Sequence, residues 1–237
     1  METDFSLNHQ TYIDKNQKLA DEGAFSGKAG NSWHKSTVWH GMVKYYAPTQ
    51  WLDYGCGPGW LYKPGNPGHQ IATETASKYR LYDPCHEPYT TFPTLSSVPG
   101  VMCIDVIEHI PESDTKSTLD YLFSVCTQWM FLFISTKRNA RGFHEEDGNT
   151  HVTLKTRQEW VDIINSYDPK VALVLGTDYE NDTFDHNGHN FTYDAWNVPA
   201  LLEQEFLDYR QFVEEKSPDM FKNEPWHLTN TTTCNIL

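Results

Sequence analysis

The sequence predicts an α/β fold, a mostly parallel sheet doubly wound with helices on both faces. Three observations carry this. The short apolar run Trp51-Leu52 ends in Asp53-Tyr54 and then Gly55-Cys56-Gly57-Pro58-Gly59, a strand feeding a glycine turn. The run Val101 to Ile107 is almost continuously apolar, as a strand buried on both faces must be. Between such runs the apolar residues recur at helical spacing.

Taken in order, residues 1–35 are polar with a weak helical pattern at Tyr12, Ile13 and Leu19, followed by the glycines of Phe25-Ser26-Gly27-Lys28-Ala29-Gly30. They read as a cap segment whose loop folds over a cleft. Val38, Met42, Tyr45 and Tyr46 predict a helix over 36–46, stopped at Pro48 because proline disfavours helix at the residue before it. Strand one opens at Thr49-Gln50. The helix expected after the glycine turn is cut short by Lys63-Pro64-Gly65-Asn66-Pro67-Gly68. Strand two is Tyr79 to Asp83. Residues 84–100 hold four prolines, so a third strand there is short. Strand four is Val101 to Ile107, and a helix opening near Ser113 or Asp114 places Leu119, Leu122, Phe123 and Cys126 on one face.

Strand five is Phe131 to Ser135. A long polar loop, Thr136 to Lys155, leads to a capping box at Thr156 and Glu159, and then to Trp160, Ile163, Ile164 and Tyr167 at helical spacing. Lys170 to Leu175 and Phe191 to Trp196 read as strands six and seven, a closing antiparallel hairpin around Asn187-Gly188. Pro199 starts a helix with Leu202, Phe206, Tyr209 and Val213 on one stripe, and residues from Ser217 form a polar tail. The organisation is therefore a cap over 1–35, one domain over 36–200, and a helix with a tail over 201–237.

Composition narrows the function. At 237 residues the chain supports one sizeable core, and its longest apolar stretch, Trp129 to Ile134, is too short to cross a bilayer. Five cysteines with no paired spacing fit reduced thiols, and a cytoplasmic setting is expected. The net charge of −14 repels polyanions and disfavours a nucleic-acid partner. Lys137, Arg138 and Arg141 are the one basic cluster near the expected cleft, suited to a solvated loop or to an anionic acceptor.

The glycine turn is not a dinucleotide fingerprint, because the third glycine of Gly-x-Gly-x-x-Gly would fall on Trp60. Leu52-Asp53-Tyr54-Gly55-Cys56-Gly57-Pro58-Gly59 instead resembles the first motif of class I S-adenosylmethionine-dependent methyltransferases. Asp105-Val106-Ile107-Glu108-His109-Ile110-Pro111 resembles the motif after that family's fourth strand. Phe25-Ser26-Gly27 with His34, Tyr82-Asp83-Pro84 and Asp147-Gly148-Asn149-Thr150-His151 are similar to a bacterial and phage-type branch acting on small molecules. The resemblance spans residues 25–197. It implies a Rossmann-like doubly wound seven-stranded sheet with an antiparallel last strand, and S-adenosylmethionine as cofactor. It also implies cofactor contacts from Asp53, Gly55, Cys56, Gly57, Gly59, Tyr82, Asp83, Asp105 and Val106, with Asp83 on the ribose hydroxyls.

Methyl transfer from a sulfonium is an in-line displacement, in which the protein supplies orientation and, for a hydroxyl acceptor, a base. His109 and His151 are the candidate catalytic bases, since both strand ends open at the edge that carries the glycine turn. Each also suits a structural hydrogen bond. The expected acceptor is a small molecule or a glycan-like compound. Two other readings stay open: a cofactor-binding module without turnover, and a metal-dependent nucleic-acid methyltransferase. Glu108, His109, His144 and His151 are ligand types for a divalent ion, yet no pair has the compact spacing of His-x-x-x-His, so no metal is expected.

Overall fold

The computed structural model describes residues 33–137, 150–178 and 191–200, with a few positions beyond them (Ile13, Asp14, Gln17, Lys18, Asp21, Leu202 and the strand Leu228–Asn230). Phe25-Ser26-Gly27, Arg138, Arg141, His144, Asp147-Gly148-Asn149, the Asn187-Gly188 turn and the Phe206 to Val213 stripe lie outside the described residues, as does the side chain of His34.

The chain alternates helix and strand. Helix α1 (Trp33–Tyr46) leads into β1 (Gln50–Tyr54), then a 3-10 turn (Trp60–Tyr62) and α2 (Pro67–Glu74). Next come β2 (Lys78–Tyr82), β3 (Val98–Ile104), a 3-10 turn (Ile107–His109), α3 (Glu112–Val125) and β4 (Cys126–Ile134). Helix α4 (Arg157–Ser166), β5 (Ala172–Asp178), β6 (Phe191–Trp196) and β7 (Leu228–Asn230) follow. The sheet runs β2-β1-β3-β4-β5-β6, with β7 added at its outer edge. The first five strands are parallel and β6 lies antiparallel on β5, as its hairpin signal predicted.

Side-chain alternation builds the two faces. In β4, Trp129, Phe131 and Phe133 point to the layer that holds Val38, Trp39, Met42 and Val43 of α1 and Ile71 of α2. Met130, Leu132 and Ile134 point the other way, toward Leu119 and Leu122 of α3 and Trp160 and Ile164 of α4. These β4 residues are at most 1 % exposed, which is what a strand clad on both sides requires. Gly100 of β3 lets the Trp129 indole lie flat on the strand, and a β-carbon there would collide with that ring.

Several boundaries differ from those the sequence predicts. No strand forms over 84–97, where Pro84, Pro88 and Pro93 withhold ladder donors; the sequence allowed at most a short one there. Helix α2 was not foreseen, because a Pro-Gly-rich stretch reads as a loop. Its first residue is Pro67, whose missing N–H costs nothing at that position. Strand β3 begins earlier than Val101 and carries Pro99 at a register shift between Val98 and Gly100. It also stops at Ile104 because Asp105 turns left-handed, with φ 54°. Strand β4 starts at Cys126, directly after Val125 of α3, with no loop between. The tail is not a pure appendage, since Leu228–Asn230 pairs with Tyr193, Asp194 and Ala195 of β6.

Candidate functional site

Strand order reverses at β1. The chain leaves β1 for β2 on one side and returns to β3 on the other, which sets a topological switch point, the place where such sheets form a crevice, between the carboxyl ends of β1 and β3. Open α/β sheets bind ligands at such a point. The turns that border it are those the sequence singles out: Gly55 to Gly59 after β1, and Asp105 to His109 after β3.

Gly55, Gly57 and Gly59 have φ of 87°, 58° and 65°, the left-handed region that only glycine enters without penalty. Gly55 N and Cys56 N donate to the Tyr82 carbonyl at 2.7 and 3.1 Å, which pins the turn to the end of β2. A β-carbon on Gly55 would collide with the isopropyl group of Val106, and one on Gly59 would fall 2.6 Å from the Tyr89 hydroxyl. Protein packing therefore accounts for glycine at 55 and 59. The Cys56 thiol is buried and donates to the Gly57 carbonyl, and burial pushes its pKa up. Tyr82 offers the site its backbone; its ring packs at 4.9 Å from Tyr54 and 5.3 Å from Phe92.

Both strand-end acids are engaged by the protein. Asp53 is 4 % exposed and accepts from Tyr62 Oη at 2.9 Å, while Trp51 Nε1 donates to that hydroxyl at 3.2 Å. Burial raises its pKa to about 7 against the pull of the Tyr62 bond, and the neighbouring charge of Asp83 adds to the rise. Asp83 Oδ2 accepts from Gly57 N at 2.8 Å, and its Oδ1 takes Cys85 N at 2.8 Å and His86 Nδ1 at 3.0 Å. A carboxylate offers about four acceptor sites, so Oδ2 keeps capacity for a further donor. The N-terminal segment reaches this corner too: Cys85 Sγ donates to the Ile13 carbonyl at 3.6 Å.

Across the crevice, Asp105 adopts a left-handed conformation that costs a non-glycine residue roughly 1–2 kcal/mol. Its carboxylate is paired with Lys35 of α1, and the Lys35 ammonium sits 4.0 Å from the centroid of the Phe133 ring. Lys35 is only 7 % exposed. Sequence reading missed it, because nothing local ties a lysine at a helix start to an aspartate 70 positions later.

Glu108 is fully buried. Ser135 N donates to its Oε1 at 3.2 Å, while its Oε2 has no hydrogen-bond partner among the described residues. Burial, reinforced by the Asp105 charge, holds its pKa well above the usual carboxylate range. Val152 N and Thr153 N donate to the Glu108 carbonyl at 2.8 and 3.0 Å, and Thr153 Oγ1 donates to the Ile110 carbonyl at 2.6 Å. These bonds staple residues 150–153 onto the β3–α3 turn and so bring His151 to His109. Their rings stand perpendicular, with centroids 4.7 Å apart.

A carbonyl oxygen only accepts, so His109 Nδ1 donates to the Thr150 carbonyl (2.9 Å) and His151 Nδ1 donates to the Lys137 carbonyl (2.6 Å). In its neutral form each ring is thereby the Nδ1–H tautomer, whose lone pair lies on Nε2. Burial, and then the nearby His151, lower the His109 pKa to about 4. His109 is thus neutral across physiological pH and a weak proton acceptor.

The structure brings His109, His151, Glu108, Asp105 and Val106 to one side of the crevice and the glycine turn, Asp53 and Asp83 to the other. Of the residues that sequence reading missed, Tyr62 had a faint signal in its place just after the glycine turn; Tyr89 and Ser135 had none. No protein-family model, curated protein or solved structure matches the chain.

Proposed function

We propose that this chain binds S-adenosylmethionine in the β1/β3 crevice and transfers its methyl group to a small-molecule or glycan-like acceptor. The scaffold would then be a Rossmann-like, doubly wound sheet closed by antiparallel strands. The observation that carries the reading is the reversal of strand order at β1, bordered by a left-handed glycine turn on one side and a histidine pair on the other. Gly57, the glycine of the turn not accounted for by packing against Val106 or Tyr89, would let backbone approach a bulky nucleoside, and Asp83 beside it retains acceptor capacity for hydroxyl donors such as those of a ribose.

The cofactor, when bound, supplies the activated methyl group; the protein's part is orientation and proton handling. Asp83 lends negative potential to the side that would face a sulfonium and an ammonium, and Asp53 adds to it only in its deprotonated form. His109 and His151, each with Nδ1 held by a backbone carbonyl, present Nε2 lone pairs suited to accept a hydrogen bond or a proton from an acceptor hydroxyl. The weak basicity of His109 makes it an orienting acceptor, which leaves His151 as the candidate base.

Calorimetric titration with S-adenosylmethionine and transfer of a labelled methyl group to a metabolite pool test this reading. Gly57→Val, which forces a β-branched residue into φ 58°, is expected to abolish cofactor binding. His151→Ala is expected to leave binding intact and slow transfer by about 10²–10⁴-fold. Near-normal affinity in Gly57→Val removes the crevice as the cofactor site. Binding without transfer to any acceptor selects a module without turnover.

A further inference from the structure

We infer that Glu108, His109 and His151 form a binding site for one divalent first-row transition ion at the mouth of the β1/β3 crevice. One ligand atom from each of the three residues lies within 4.8 Å of the others, and among the described residues these three form a group able to hold an ion. Sequence spacing could not show this. Glu108 and His109 are adjacent and His151 comes from beyond β4, so the cluster exists only through the staple of Val152 and Thr153 onto the Glu108 carbonyl.

Three features of the cluster fit a metal site. First, Glu108 Oε2 is enclosed without a hydrogen-bond partner among the described residues, although buried carboxylate oxygens are almost always satisfied. Coordination would satisfy it. Second, each histidine donates Nδ1–H to a backbone carbonyl, His109 to Thr150 and His151 to Lys137. That is the outer-shell bond which orients metal-bound imidazoles and fixes their tautomer. Third, the inner carboxylate is itself oriented, because Ser135 N donates to Oε1 at 3.2 Å. The neighbouring Asp105 carboxylate adds negative potential, and its pairing with Lys35 keeps it out of the ligand set.

The donor set selects the ion. Two imidazoles and one carboxylate, with no thiolate, suit Zn²⁺, Mn²⁺, Fe²⁺ or Co²⁺; Mg²⁺ and Ca²⁺ prefer all-oxygen sites. Three protein ligands leave coordination positions for an exogenous oxygen, the pattern of sites that act on a bound molecule. The inference does not depend on methyl transfer, because the ligands and their supports are in place whichever molecule enters the crevice; a bound ion would occupy the His151 lone pair and would replace that histidine as the group that activates an acceptor oxygen.

The test uses the full chain, stripped with a chelator, dialysed and titrated with Zn²⁺ and Mn²⁺ by calorimetry, with metal content read by elemental analysis. One equivalent is expected to bind wild type, and His151→Ala and His109→Ala to bind at least about 100-fold more weakly. Glu108→Gln keeps side-chain shape and is expected to weaken binding at least about 10-fold. Co²⁺-loaded wild type is expected to show visible ligand-field absorption without a thiolate charge-transfer band, and to lose it in His151→Ala. A wild type that takes up no stoichiometric metal overturns the site whatever the variants do. Equal binding by wild type and His151→Ala overturns it as well. S-adenosylmethionine affinity measured on the same samples separates the two proposals: metal uptake without cofactor binding upholds the site and removes the methyl-transfer reading.

Discussion

Asp53 sits in β1 with its carboxyl enclosed between Trp51, Tyr62 and the glycine turn, and its pKa of about 7 has a consequence for stability. The native state keeps a proton there that the unfolded chain, with an ordinary aspartate near 3.8, has already released. Native protein therefore binds more protons between the two values, and its stability falls as pH rises from about 4 to about 7. Asp53→Asn keeps the acceptor for Tyr62 and removes the cost of charging. Urea unfolding should show the variant gaining on wild type across that window, with a ceiling of about 4 kcal/mol above pH 7. A stability difference that does not change with pH would count against an enclosed, protonated Asp53.

Among the elements, α4 shows how local chemistry and long-range pairing share one helix. Its start was legible: Thr156 Oγ1 accepts from Glu159 N at 3.2 Å and Glu159 Oε2 accepts from Thr156 N at 2.7 Å, the capping box that the sequence spells out. Its anchor was not. Arg157 grips Asp194 of β6 through two bonds, Nε to Oδ2 at 2.7 Å and Nη2 to Oδ1, and the Asp194 side chain is fully buried. Burial raises the Asp194 pKa, and the guanidinium opposes that rise. Arg157→Ala strands a buried carboxylate and is expected to cost about 3 kcal/mol, read as a lowered thermal midpoint. Arg157→Leu combined with Asp194→Asn should recover much of that loss; no recovery would mean the arginine acts through its packing.

The same contrast governs what sequence reading delivers. Helix caps, the glycine turn and the apolar runs of β1 and β6 are local, and each was found within a few residues of its place; β4 was found by its apolar end, although it begins at Cys126, five residues before Phe131. Helix α2 was missed because proline and glycine are ambiguous between a loop and a helix start. The Lys35–Asp105 pair and the Glu108–His109–His151 group join distant segments, so no pattern within a window reveals them. That His109 and His151 share one edge of the sheet was expected from their strand ends; the staple of residues 150–153 that brings the two rings together was not legible.

For the molecule as a whole, charge bears on which partners are expected. A net −14 over 237 residues gives the chain an overall charge that repels polyanions, and phosphate neutralisation is what gives nucleic-acid binding its strength. Short single-stranded RNA is expected to show no saturable binding in fluorescence anisotropy at about 0.15 M salt. Tight, salt-dependent binding would instead reveal a local cationic track that outweighs the overall field. No helix among the described residues is long and apolar enough to cross a membrane.

The direct passage from α3 to β4 governs how this architecture tolerates changes of length. Val125 closes a helix and Cys126 opens a strand with nothing between them, so an inserted residue would shift every β4 side chain to the opposite face and set Trp129, Phe131 and Phe133 against the wrong helices. Residues 84–97, which belong to no ladder, have no such register to lose. Drift in chain length should therefore collect between β2 and β3, while the α3–β4 junction behaves as a ruler fixed at both ends.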